Sequence, residues 1–146
     1  MTNLRDILRA FAGAMNLISP EVESHHEKVA FLSFQMARQM ELSLDEQYLA
    51  FYGGLFHDIG GILTGTTLTL RDLEANARAL AHEGAVLLRL YPFTEPYADV
   101  VLHSQMPWKE IPNIVCDSVA NVSQIVHLAD VITLIVSKSE PVLNQL

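Results

Sequence analysis

The stretch Leu55-Phe56-His57-Asp58-Ile59-Gly60-Gly61 sets an imidazole beside a carboxylate at the end of an apolar run that begins at Tyr48. Imidazole nitrogen and carboxylate oxygen together suit a borderline divalent ion such as zinc, iron or manganese. Successive helical residues lie about 100° apart, so a ligand pair at i, i+1 works best where a helix ends and the backbone turns away. Gly60 and Gly61 are expected to supply that end through the positive φ that glycine tolerates. Alone, such a dipeptide is a weak signal; the other polar residues give it weight. Glu21 and His25, four apart, are expected on one helix face, with His26 turned to the surface beside them. His82 and His103 fall where helices are expected to end. Asp130 stands in the most apolar segment of the chain, where a carboxylate is costly to bury unless paired or bound to a cation.

Composition narrows the classes. The chain has 146 residues, half of them hydrophobic, and a formal charge of −8. That length fits one domain that buries about two-thirds of its unfolded surface. The acidic balance, without any run of Lys or Arg, speaks against a nucleic-acid polymer or an anionic membrane as partner. An anionic substrate would need a metal to offset this background. Cys116 is the only cysteine, which excludes a disulfide framework and a thiolate zinc cluster. No apolar run reaches the length of a membrane span, and Met1 to Ile18 lacks the layout of a signal peptide. The chain reads as cytoplasmic.

Helical periodicity then supplies the elements that position these residues. Leu4, Ile7, Leu8, Phe11 and Met15 mark a first helix from about Asn3 to Met15. Ser19-Pro20-Glu21 reads as the start of a second, carrying Val29, Leu32 and Met36. Ser43 and Glu46 form a capping box for a third that closes at His57-Asp58. A Gly- and Thr-rich loop, Gly60 to Thr69, follows. Thr69 with Asp72 opens a fourth helix to about Ala81, and a fifth runs from about Glu83 to Leu90, which places His82 at their junction. A short sixth begins at Pro96 and ends at His103. Asp117 opens a last helix with Val122, Ile125, Val126 and Ala129. No segment alternates with period two. The expectation is an all-α bundle of about six to seven helices in one domain, 1–146. Residues 1–18 are its first helix, 19–137 its core, and 138–146 a tail leading towards a further domain.

His25, then His57-Asp58, then Asp130 in Ala129-Asp130-Val131 resembles the H…HD…D signature of the HD superfamily of metal-dependent phosphohydrolases. His25-His26-Glu27-Lys28-Val29-Ala30 and His57-Asp58-Ile59-Gly60 are similar to the H-x-x-R-V-A and HDIGK segments of its HD-GYP subfamily. His82 before Gly84-Ala85-Val86-Leu87-Leu88, and His103 at the first position of HHE, extend the likeness. Glu21 resembles a glutamate that some members use as an additional ligand. The resemblance implies a helical bundle with His25, His57, Asp58 and Asp130 as metal ligands and His82, His103 and Glu21 as further ones. It implies one divalent ion (Mn, Fe, Zn or Mg), or two in the fuller form. It also implies catalytic roles for Asp58, Asp130, His82 and His103, and a small phosphorylated ligand, a cyclic dinucleotide or other nucleotide among them.

The chain departs from that pattern at three places. Gly61 stands at the lysine of HDxGK, Ser104-Gln105 replaces the second histidine and the glutamate of HHE, and no D-G-x-G-Y-P follows. These losses predict weak turnover that Gly61→Lys with Ser104→His would raise. They also keep open a regulatory module that binds metal or nucleotide without turnover, acting as a homodimer or on a partner domain. A purely structural helical scaffold is the remaining class.

Overall fold

The computed structural model describes residues 4–20 and 24–143 and contains, among them, seven α-helices and no strand. They are α1 (Leu4–Ile18), α2 (His25–Gln39), α3 (Leu44–Phe56), α4 (Leu70–Ala75), α5 (Ala77–Leu88), α6 (Ala98–His103) and α7 (Asp117–Leu143), with short 3-10 turns at Ile59–Thr64, Glu95–Tyr97 and Trp108–Glu110. The all-α expectation holds. Glu21 lies outside the described residues.

Both capping boxes form. The Ser43 amide donates to Glu46 Oε2 at 2.9 Å while the Glu46 amide donates to Ser43 Oγ. Thr69 and Asp72 exchange the same pair of bonds. Each box satisfies amides that a helix start leaves without a partner.

α2 lies against α3 and α7, and α6 packs on α3, α5 and α7. Val29, Ala37, Ala50, Val100, Val122 and Val126 are fully buried among α2, α3, α6 and α7. Ala30, Leu55, Phe56, Ile59, Ala85, Leu88 and Val101 form a second core on the far side of α3. Each large aliphatic side chain so buried contributes about 1.5–3 kcal/mol. The two cores leave the start of α2, the end of α3 and the middle of α7 facing one another.

Several boundaries differ from the sequence expectation. α2 starts at His25, not near Pro20, because Ser24 takes a left-handed conformation (φ 60°) directly before it. Asn76, at φ −111° and ψ 11°, separates α4 from α5. α5 then runs unbroken through position 82, since Leu80, Ala81, Gly84, Ala85 and Leu88 make one continuous buried stripe. His82 is therefore on the exposed face of α5 and not at a junction. Gly60 and Gly61 do not take the positive φ expected of them; among the described glycines only Gly65 does. Gly60 is required by close approach instead: a Cβ there would run into the Leu80 carbonyl oxygen.

α7 also corrects an expectation. Its segment Asp117–Lys138 is long and apolar enough to cross a membrane by length and composition. Within its most apolar window 44% is buried in the bundle, and it carries Asp130 into the interior.

Candidate metal centre

α2 delivers His25 and His26 from its first turn, α3 ends on His57 and Asp58, and α7 contributes Asp130. All five residues are buried, none more than 7% exposed. Among the described residues, one ligand atom each from His25, His57 and Asp130 lie within 4.8 Å of one another. His25 Nε2 is 3.0 Å from Asp130 Oδ1, and His57 Nε2 is 3.4 Å from the same oxygen. Asp58 Oδ2 stands 3.1 Å from His57 Nε2 and 3.5 Å from His26 Nε2. The order in space is thus His25, Asp130, His57, Asp58, His26, with the imidazole centroids 5.3–5.4 Å apart.

His57 is oriented by its own helix. Its Nδ1–H donates to the Gly54 carbonyl at 2.6 Å, so Nε2 is the nitrogen aimed at the two carboxylates. That is how a ligating imidazole is held: the second nitrogen bonds a carbonyl and fixes the tautomer.

The charges follow from this placement. Burial alone would lower the pKa of His57, yet the charges of Asp58 and Asp130 and its hydrogen bonds to both outweigh that and hold it well above the usual imidazole value. Burial alone would raise Asp58 and Asp130; the His57 charge and bonds from His26 and His25 respectively hold both far below the ordinary carboxylate range. Burial lowers His26, more than its bond to Asp58 raises it. Without a cation, the proton on His57 is the positive charge between two buried carboxylates. A divalent ion would take over that function. The donor set, imidazole and carboxylate, suits such an ion. His25 Nδ1 and His26 Nδ1 are buried without a hydrogen-bond partner among the described residues, which natural interiors rarely leave so. The residues fit a metal.

The centre opens into a cleft of about 150 Å³ lined by His25, Asp58, Leu73, Glu74, Gln105 and Asp130 among others. Three of these are carboxylates, and among the described residues the lining includes no Lys or Arg, although Lys138 Nζ stands 2.6 Å from Glu74 Oε1.

The expected residues thus separate into two groups. His25, His57, Asp58 and Asp130 come together. His82 is exposed on α5 and does not line the cleft. His103 is buried at the end of α6, its Nδ1–H donating to the Asp99 carbonyl at 2.7 Å, and does not belong to the close group.

Two residues were missed by the sequence reading. His26, expected at the surface, is 1% exposed. The reasoning that let His57 and Asp58 act together at a helix end applies equally to His25 and His26 at a helix start. Gln105 donates from Nε2 to Asp130 Oδ2 at 3.1 Å, a contact that no local pattern announces.

The positions of the lost motif residues are packed. A Cβ at Gly61 would lie 3.1 Å from Leu68 Cδ1 and 3.3 Å from Ile18 Cγ2. Ser104 is fully buried, its Oγ donating to the Val101 carbonyl. The expectation that Gly61→Lys and Ser104→His restore activity does not suit this packing.

Residues 6–135 match the sequence profile of the HD domain family. The chain is similar to 3'3'-cGAMP-specific phosphodiesterase 1 of Vibrio cholerae serotype O1, 29% identical over 131 residues. That alignment covers 88% of this chain and spans about 30% of the relative's length. No solved structure matches.

Proposed function

We propose, from the premise that this chain belongs to the HD domain family, that it is a metal-dependent phosphohydrolase acting on a phosphodiester, a cyclic dinucleotide foremost. The observation that carries the proposal is the convergence of His25, His57 and Asp130 within 4.8 Å, with Asp58 against His57. Its residue pattern is nearest to a divergent HD-GYP-like domain without the GYP segment, with 19–137 as the working core. The relative's printed specificity for 3'3'-cGAMP supports a cyclic dinucleotide.

His25, His57, Asp58 and Asp130 would hold the ion, for which manganese, iron, zinc and magnesium are the candidates. When bound, such an ion supplies an activated water near neutral pH and neutralises charge on a phosphate oxygen. Of the three carboxylates lining the cleft, Glu74 is paired with Lys138 at 2.6 Å, while Asp58 and Asp130 leave the lining acidic, so a phosphate would rely on the ion's charge for most of its attraction. Asp130, whose carboxyl burial alone would raise but the His57 charge and the His25 bond hold far below the ordinary carboxylate range, would orient the attacking water as a hydrogen-bond acceptor. Asp58 anchors His57 and the ion together. We keep His103 as the candidate proton donor to the leaving oxygen on the family resemblance alone: its Nδ1–H is tied to the Asp99 carbonyl, and it does not line the cleft.

A second reading, a nucleotide-binding regulatory module without turnover, is favoured by the acidic lining and by the packed positions of Gly61 and Ser104. The test incubates protein with Mn²⁺ and a cyclic dinucleotide and separates linear from cyclic product. Linear product from wild type and none from Asp58→Ala supports the enzyme. No product, with a melting curve that the nucleotide still shifts, supports the regulatory module.

A further inference from the structure

We infer that Gln105 is a positioning residue that restricts Asp130 to ligation through one oxygen and limits the centre to a single cation. The inference rests on the metal-centre reading above.

The two oxygens of Asp130 have divided duties. Oδ1 faces His25 Nε2 at 3.0 Å and His57 Nε2 at 3.4 Å. Oδ2 accepts the amide N–H of Gln105 at 3.1 Å. A carboxylate can chelate through both oxygens, bridge two ions, or ligate through one. A donor held on Oδ2 favours the last, because the first two require that bond to break. Partners of this kind around a ligand set its orientation and its basicity.

Gln105 is itself held. It follows Ser104, whose Oγ is fixed on the Val101 carbonyl at 2.8 Å. It precedes Met106, whose amide donates to the His103 carbonyl at 3.1 Å and whose carbonyl accepts from Gln124 Nε2 at 3.0 Å. Its backbone is pinned on both sides, and the side chain lines the cleft beside Asp58 and Asp130.

Charge argues the same way. An amide stays neutral and brings a donor to Oδ2. A carboxylate at position 105 would bring a like charge to that oxygen, and like charges so close are tolerated only with a proton or a cation between them. Asp58 and Asp130 together balance one divalent ion, since the third carboxylate of the cleft, Glu74, is already paired with Lys138 Nζ at 2.6 Å; an unpaired carboxylate at position 105 would call for more positive charge. The neutral side chain at 105 therefore matches a one-cation centre.

The test uses Co²⁺ as the probe, added to the chelator-treated 146-residue chain. Calorimetry reads stoichiometry and affinity, and the visible absorption of Co²⁺ reads coordination geometry, which is diagnostic of the ligand set. Wild type is expected to take one Co²⁺ per chain. Gln105→Leu, similar in volume but without the donor, is expected to bind about 10–100-fold more weakly with an altered visible spectrum. Gln105→Glu is expected to take up more than one Co²⁺ per chain. If Gln105→Leu melts well below wild type before any cation is added, the nearly isosteric Gln105→Glu carries the test. Wild-type affinity and spectrum in Gln105→Leu, or one Co²⁺ with an unchanged spectrum in Gln105→Glu, overturns the inference alone. A wild-type protein that takes up no Co²⁺ overturns the metal centre and this inference together.

Discussion

His57→Ala separates the stability that comes from the cation from the stability that comes from the charge network beneath it. If the proposed site takes Mn²⁺, the ion at a hundred times its dissociation constant should stabilise the folded wild type by about 2.7 kcal/mol. For a chain of this length, each kcal/mol moves the melting temperature by about 2–4 °C, so saturation should raise it by about 5–11 °C. His57 is fully buried, 3.1 Å from one carboxylate oxygen and 3.4 Å from another. Its removal leaves Asp58 and Asp130 facing each other without the positive charge between them. Breaking a buried ion pair from one side costs about 3–5 kcal/mol, more than the cation's own contribution. The metal-free variant should therefore melt below metal-free wild type, and Mn²⁺ at the wild-type saturating concentration should not raise it. Differential scanning calorimetry with and without EDTA reads both effects. An equal Mn²⁺ shift in wild type and His57→Ala would refute the placement of the cation at His57. No shift in wild type would refute the site.

Three further outcomes follow from the packing. His26→Ala should weaken Mn²⁺ binding by about tenfold, read by calorimetry, because His26 is the second imidazole on Asp58 Oδ2; unchanged affinity would make His26 a filler. Gly61→Lys should lower stability by about 1–3 kcal/mol through overpacking against Leu68 and Ile18, without a gain in turnover, and a chemical denaturation midpoint at or above wild type would contradict that. Ser43→Ala tests the cap of α3 through pH. Hydrogen bonds from Ser43, and then Ser118, depress the Glu46 carboxyl, so their stabilisation is present above the ordinary glutamate pKa and lost as pH falls through the folded value. The melting difference between Ser43→Ala and wild type should be largest near neutral pH and should shrink in acid; a difference independent of pH would remove Glu46 from the account.

Much of this centre was legible before the structure, and the reason is local. His57-Asp58 sits at a helix end that the Ser43 capping box and the apolar run to Phe56 define from sequence alone. Asp130 stood out because its helix is otherwise so apolar. What escaped depended on contacts between distant segments. His26 was assigned to the surface by helical angle, but the left-handed turn at Ser24 starts α2 one residue before it, and both histidines then reach inward. His82 was placed at a junction because the break at Asn76 has no glycine or proline to mark it. Gln105 reaches Asp130 across 25 positions, which no periodicity encodes. Gly60 was read as a conformational stop, yet it answers to the approach of α5, a constraint visible only once the helices are packed.

In the proposed function, His25, His57, Asp58 and Asp130 hold a cation that makes the cleft hydrolytic. The most direct measurement is the rate of hydrolysis of a chromogenic phosphodiester, bis(p-nitrophenyl) phosphate, as Mn²⁺ is added to the metal-free protein. Turnover should rise from background and half-saturate at the Mn²⁺ concentration that half-saturates the thermal stabilisation, and Asp58→Ala should stay at background throughout. Turnover that is independent of Mn²⁺, or that survives in Asp58→Ala, would contradict the account.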